Sequence, residues 1–500
     1  MSDVLERAPD GYVEPQAVHP RRLNWVKWGL GCFGVSMILI SGVVLAGLII
    51  LPIAFRSLPP EDQSRLAEKI PVLGTLRPTR VYRATTLPTA QSVDETQIAA
   101  ILSVALVTTE TPTPTVTFTS APEPTSLLST ITPTPLLGQV VAAAATNTPQ
   151  PTPTSLPTAI PTNPPTPTEP PLPVNYHLTG IKRVYQKWND CGPANLTQVL
   201  QYYGWSGNED DARTAIKPNA DDRNVSPREL VNFVLNKTGV KSLVRVVGTL
   251  HLIKRLVSNN FGVIMETGYN LQDGWAGHYL TVLGYDDNAQ IMYGGDTNLG
   301  FGADGLGQQE KYDDLDKRWQ HFNRLYIVVY PRERELELAA ILGPDADPSY
   351  NLRHAVEFAQ QEVKQDPENP FVWHNLGAAL TQIGDYRRAI TMFDKSRNTG
   401  IQLPWRFLWY QFYVFEAYYK MGYYNEVKDL ANVTLANATI EEALYWRGMV
   451  EAAMGDKASA VIDFKAVLKF NPNFSAAADA LAQVQNGTFQ PPVAAKQASP

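Results

Sequence analysis

Gln186-Lys187-Trp188-Asn189-Asp190-Cys191-Gly192-Pro193-Ala194 is the stretch from which the fold can be read outward. Pro193 suits the first turn of a helix, where a missing N–H costs nothing. Leu196, Val199, Leu200 and Tyr203 then recur on one face, so a helix is predicted over Pro193–Tyr203. Cys191 falls at its N-terminus, where unpaired N–H groups and the helix dipole favour a thiolate. Gly192 would let a substrate carbonyl approach the backbone closely. Gln186 could donate its amide N–H to a developing oxyanion, with the Cys191 backbone N–H as second donor. A lone cysteine is otherwise an inert, buried helix-cap residue, so the reading depends on what else the chain supplies.

It supplies a base and a carboxylate. Tyr279–Tyr285 and Gln290–Tyr293 read as strands, joined by a turn at Asp286-Asp287-Asn288-Ala289 whose aspartates are turn formers. Pairing across that turn sets His278 opposite, or nearly opposite, Asp296, and cross-strand neighbours lie ~5 Å apart. Asp296 would orient the imidazole and leave its other nitrogen for Cys191. The remaining histidines (His19, His177, His251, His321, His354, His374) lack such a partner and read as surface or packing residues. Ser226-Pro227-Arg228-Glu229 opens a further helix with a capping-box pattern. Arg324–Tyr330 reads as the closing strand of an α+β unit. No zinc-ligand spacing and no phosphate-binding loop are present, so neither a metal nor another cofactor is expected.

These motifs together resemble the C39-like cysteine peptidases of the papain-like superfamily. The resemblance rests on Gln186-x4-Cys191-Gly192-Pro193-Ala194, Gly277-His278-Tyr279, Gly284-Tyr285-Asp286 and Asp296, and covers roughly Tyr176–Arg334. It implies a papain-like fold with Cys191 as nucleophile, His278 as general base and acid, Asp296 as orienting residue and Gln186 as oxyanion donor. The family's aspartate is commonly followed by proline; here Thr297 follows, which leaves Asn298 as the other candidate. Well-known relatives cleave leader peptides after a double glycine and are fused to an exporter. No exporter domain is read in this chain, so that substrate does not transfer.

The rest of the chain sets the context. Trp28–Phe55 has no charged residue and would form a helix of roughly 42 Å at ~1.5 Å per residue, enough to cross a bilayer. Arg21, Arg22 and Lys27 precede it, while Arg56 alone follows closely, so the N-terminus is expected in the cytoplasm and everything after Arg56 outside. From Ala84 to Ile181 there is no Lys or Arg, and runs such as Thr111-Pro-Thr-Pro-Thr point to an extended, disordered stalk. Within it, Ile98–Val107 could form a transient helix.

From about Asp345, Trp373, Leu376, Gly377, Gly384, Tyr386, Ala389 and Phe393 fit tetratricopeptide spacing. Leu444, Gly448, Gly455, Ala460, Phe464 and Pro472 fit it again. Gly422 to Gly455 is 33 residues, but Gly384 to Gly422 is 38, so an insertion is expected around Asn398–Pro404. The middle unit is aromatic. Trp405, Trp409, Tyr410, Tyr413 and Tyr419 either fill the core of a degenerate repeat or form a contact surface.

The expected organisation is a cytoplasmic tail (1–27), a transmembrane helix (28–55), a juxtamembrane and Pro/Thr-rich stalk (56–173), a C39-like peptidase domain (174–335), an all-α tetratricopeptide solenoid (345–486) and a disordered tail (487–500). A net charge of −7, with no basic stripe, argues against nucleic-acid binding. Cys32 lies in the apolar segment, which leaves Cys191 no disulfide partner. The function expected is a membrane-anchored extracytoplasmic cysteine peptidase acting on a peptide or protein substrate. Its solenoid would bind substrate or a protein partner. A retired papain-like adaptor and a thiol acyltransferase on the same residues are the alternatives.

Overall fold

The computed structural model describes residues 50–58, 60–70, 72–73, 86–103, 170–271 and 274–492. Most of the expected membrane helix (28–49), most of the Pro/Thr-rich stretch (104–169) and the end of the tail (493–500) lie outside the described residues. No helix among the described residues is long and apolar enough to cross a membrane. Upstream of the sheet region lie α1 (Pro60–Lys69) and α2 (Glu95–Ser103).

The region around Cys191 is an antiparallel sheet with helices on both faces. In chain order it comprises β1 (Asn175–His177), α3 (Cys191–Tyr202), α4 (Glu209–Ile216), α5 (Pro227–Lys237), β2 (Lys241–Arg245), α6 (Leu250–Ser258), β3 (Gly262–Leu271), β4 (Gly274–Asp286), β5 (Ile291–Gly295), β6 (Gln308–Lys311), α7 (Tyr312–Gln320) and β7 (Tyr326–Tyr330). The strand order is β2-β7-β3-β4-β5-β6, with β1 paired to the end of β4. Alternation along the strands divides the core. Val263, Met265, Leu280, Val282 and Val328 pack with α6 and α7, whereas Ile264, Tyr279, Ile327 and Val329 pack with α3 and α5. Helix α5 starts on the capping box of Ser226 and Glu229.

One register differs from expectation. The turn after β4 is 287–290, not 286–289, because Gln290 adopts a left-handed conformation (φ 55°) and Asp286 Oδ1 accepts from the N–H groups of Asn288 and Ala289. Asp286 therefore pairs with Ile291, and beyond an irregularity at Val282/Gly284, Thr281 pairs with Gly295. His278 and Asp296 are not cross-strand partners. His278 pairs with Thr267 of β3, and Asp296 lies just past β5, bridged to Gly300.

After α8 (Glu335–Leu342) the chain is helical: α9 (Pro348–Gln365), α10 (Pro370–Gln382), α11 (Tyr386–Arg397), α12 (Tyr413–Lys420), α13 (Tyr424–Leu435), α14 (Glu441–Ala453), α15 (Lys457–Phe470) and α16 (Ser475–Asn486). The repeat residues have a steric basis. A Cβ on Gly377 would come within 2.7 Å of Phe393, and one on Gly448 within 2.8 Å of Phe464, so each small residue lets the paired helices close. The insertion between α11 and α12 forms a 3-10 turn, Trp405–Trp409, that reaches the sheet. There Phe407 and Leu403 pack with Trp275, Phe322 and Phe371 in a shared aromatic core.

The segment 86–103, inside the stretch expected as stalk, lies along the repeats. Lys395 Nζ is 2.7 Å from Glu95 Oε1, and Asn398 Nδ2 donates to Gln91 O at 2.9 Å. Gln360 Nε2 donates to Ile101 O at 3.3 Å, and Ile98 and Ile101 are buried. One expectation about histidines also changes. His354 has a carboxylate partner, with Nδ1 3.0 Å from Asp345 Oδ1.

Candidate active site

Cys191 is the first residue of α3, two positions before the helix start inferred at Pro193. The residue before it, Asp190, does not cap the helix with its side chain. Its carboxylate turns instead to Lys217, with Nζ 2.8 Å from Oδ1, and both side chains are almost fully buried. Lys217 also donates to the Asn189 carbonyl at 2.9 Å and the Asp222 carbonyl at 3.3 Å. A buried lysine thus ties down the strand of chain that delivers Cys191 and keeps a positive charge near the sulfur.

His278 is brought to Cys191 by the central strand β4, and the two side chains hydrogen-bond. Nε2 of His278 lies 3.3 Å from Asp296 Oδ2, an ion-pair distance at which the N–H is poorly aligned for a hydrogen bond. Asp296 is held by its other oxygen, which accepts from the backbone N–H groups of Asn298 (2.6 Å) and Leu299 (2.7 Å). With Nε2 facing Asp296, Nδ1 is the nitrogen left for the thiol. Asn298 thus contributes through its backbone to positioning Asp296.

The electrostatics are coupled. Burial pushes the Cys191 thiol up, but the hydrogen bond and charge of His278, the Tyr279 N–H and the charge of Lys217 outweigh it and hold the thiol below its ordinary value. Burial pushes His278 down, but the Asp296 carboxylate and the Cys191 thiolate carry it up to about 10. Asp296 is held below its usual range: burial opposes this, and His278 and the two N–H donors prevail. All three shifts run toward the charged forms: thiolate, imidazolium and, behind them, an ionised aspartate.

A buried polar lattice lies beneath the pair. Asn195 Nδ2 donates to the carbonyls of Cys191 (2.9 Å) and Tyr279 (2.8 Å), and its Oδ1 accepts from the Thr281 N–H (2.8 Å). Gln198 Nε2 donates to Gly295 O at 3.1 Å, which ties α3 to β5. Thr297 directly follows Asp296. Its hydroxyl donates to Gln186 Oε1 at 2.8 Å and accepts from Asn195 at 3.2 Å. Gln186 is therefore anchored beside Asp296 with its amide NH₂ left to donate, although it does not line the cavity at Cys191.

That cavity is about 10 Å³, roughly room for one water, and is lined by Cys191, Gly192, His278, Glu266 and Tyr410 among others. Tyr410 belongs to the insertion between the repeats. Its ring lies 5.7 Å from Trp275 and 6.0 Å from Phe322, and a Cβ on Gly277 would meet it at 3.1 Å. A larger cleft of about 860 Å³ runs between the sheet region and the repeats, and reaches Glu266 and Tyr410 from the other side. Of the five aromatics singled out in the middle repeat, Trp409 and Tyr419 are buried, while Tyr410 and Tyr413 line the cleft. Sequence reasoning missed Lys217, Asn195 and Glu266. The available signals were polar residues at Asn195 and Gln198 on an otherwise apolar helix face, and a single acid within Phe261-Gly-Val-Ile-Met-Glu266.

Residues 178–327 match the model of the Peptidase_C39 like family, and residues 441–474 match a tetratricopeptide repeat. The chain thus carries a C39-like peptidase domain followed by tetratricopeptide structure. Solved structures include a Bacillus anthracis protein described as a C39-like peptidase (15% identity, 32% of this chain and 98% of that one, TM-score 0.27). The peptidase domain of Streptococcus ComA, a bifunctional ABC transporter of a quorum-sensing pathway, also matches (19%, 31% and 100%, TM-score 0.25). So does a double-glycine-motif protease from an AMS/PCAT transporter in complex with its leader peptide (16%, 30% and 92%, TM-score 0.23). No curated protein matches the chain.

Proposed function

We propose that this C39-like domain is a working cysteine peptidase in which Cys191 is the nucleophile, His278 the general base and acid, Asp296 the orienting carboxylate and Gln186 an oxyanion donor. The observation that carries the reading is the convergence of a depressed thiol, a raised imidazole and a buried carboxylate from three separate elements. The Cys191 sulfur attacks the substrate carbonyl carbon and forms a C–S bond, while the carbonyl π pair moves to oxygen. The Cys191 N–H, at an uncapped helix start, and the free NH₂ of Gln186 are the donors for that oxygen. Collapse expels the amine, which takes the proton held by His278. Water then attacks the thioester, His278 accepts its proton, and the sulfur leaves as thiolate.

The roof over the cavity supports a gated enzyme, in which Tyr410 withdraws to admit substrate. The uncharged run Trp28–Phe55 and the basic residues before it support membrane anchoring with both domains outside. The decisive test is the pH dependence of Cys191 alkylation by iodoacetamide in the full chain. An apparent pKa well below ~8.5 that rises in His278→Ala supports the pair. An ordinary thiol indifferent to His278 would leave the adaptor as the better account.

A further inference from the structure

Glu266 lies on β3 opposite Tyr279, is 2% exposed, and has one carboxyl oxygen, Oε2, with no hydrogen-bond partner. Unpaired buried carboxyl oxygens are costly and demand an explanation. Its position supplies one. Among the described residues, Glu266 and Tyr410 alone line both the cavity at Cys191 and the large cleft between sheet and repeats. Glu266 thus stands where the lining of the cleft and that of the cavity at Cys191 meet.

We propose that Glu266 is a specificity residue that receives a lysine or arginine side chain flanking the scissile bond, from a peptide lying in the cleft. The inference rests on the peptidase reading above. The groups that act on Glu266 are acids, not bases. Burial raises its carboxyl well above the ordinary range, the Cys191 thiolate adds to this, and a hydrogen bond with Tyr279 only partly offsets it. Nearby cations are otherwise engaged: Lys217 on Asp190, and Arg223 stacked 5.3 Å over Trp188. These surroundings favour a protonated Glu266. An arriving guanidinium or ammonium would displace that proton and fill the vacant acceptor, a pairing a neutral side chain cannot make. Further along the cleft, Glu229, Glu416 and Glu442 are matched in number by Arg228, Lys237 and Arg245, so the preference for a basic side chain rests on Glu266 itself.

The test uses the full chain and a positional-scanning library of internally quenched octapeptides, followed by matched arginine and citrulline versions of the best substrate. Citrulline keeps the shape and removes the charge. Wild type should favour arginine over citrulline in kcat/KM by on the order of 100-fold, and Glu266→Gln should abolish most of that preference, read as the ratio of the two kcat/KM values within each enzyme. Equal cleavage of the two peptides by wild type would overturn the inference and leave the peptidase intact, as would an equal effect of Glu266→Gln on both. If no peptide is cleaved, the peptidase reading fails and takes the inference with it. Binding of the arginine and citrulline peptides to Cys191→Ala gives a readout that needs no turnover in Glu266 variants. Equal affinities there would also overturn it.

Discussion

Replacing Tyr410 with alanine should open the catalytic cavity. The cavity at Cys191 is about 10 Å³ and Tyr410 forms part of its wall, while the cleft beyond holds about 860 Å³. Tyr410 is held there by edge-to-face contacts with Trp275 and Phe322 and by hydrogen bonding with the Gly277 backbone. Two aromatic pairs and one hydrogen bond together are worth about 1.5–4.5 kcal/mol, so spontaneous opening should be suppressed roughly ten- to thousandfold. The assay is alkylation of Cys191 by a fluorescein-sized maleimide compared with iodoacetamide. In wild type the bulky reagent should lag the small one by about that factor beyond their difference on a free peptide thiol, and Tyr410→Ala should remove the lag. Tyr410→Phe, which keeps the ring contacts, should fall between. If the bulky reagent modifies wild type and Tyr410→Ala at the same rate, Tyr410 is no gate and the roof is an incidental contact.

Two further outcomes are expected. Lys217→Met strands the buried Asp190 carboxylate and should cost about 3–5 kcal/mol in urea unfolding, with much of it restored by adding Asp190→Asn; an unrestored loss would assign Lys217 a different role. His278, raised to about 10, contributes stability that is complete below its unfolded value of ~6.5 and is lost as pH rises through 10. Cys191, held low, contributes stability that is fully present above its unfolded value of ~8.5 and is lost as pH falls through the folded one. The slopes oppose each other just below ~8.5, and above it only that of His278 acts, so unfolding free energy should fall more steeply with pH between about 8.5 and 10 than just below ~8.5; the same fall in His278→Ala would contradict this.

The candidate residues were more legible in the sequence than the geometry that brings them together. Cys191, Gly192 and Pro193 announce a thiol at a helix start because each residue type has a local reason to be there. The capping box at Ser226 and the glycines of the repeats are local signals of the same kind. The register of the β4–β5 hairpin was not legible, because it turns on Gln290, a residue that rarely takes a left-handed conformation. His278 and Asp296 still meet, by way of a turn past the strand end instead of across the ladder. Tyr410 could not have been placed at all. The repeat spacing shows that residues were inserted, but which surface they reach depends on contacts with Trp275 and Phe322, more than eighty residues earlier. Glu266 shows the remaining limit: an acid inside an apolar strand signals a special environment without saying what shares it.

The segment 86–103 changes the meaning of the long stretch that follows it. Because Glu95, Gln91 and Ile101 are bound to the repeats and β1 begins at Asn175, residues 104–169 start and finish on one folded body. A protease cutting once within them would nick the protein without releasing residues 174–486 from residues 1–103, since Lys395, Asn398 and Gln360 would still grip the upstream piece. On the proposed anchoring, release would require a cut upstream of residue 86, and the Pro/Thr-rich stretch would not lengthen the tether.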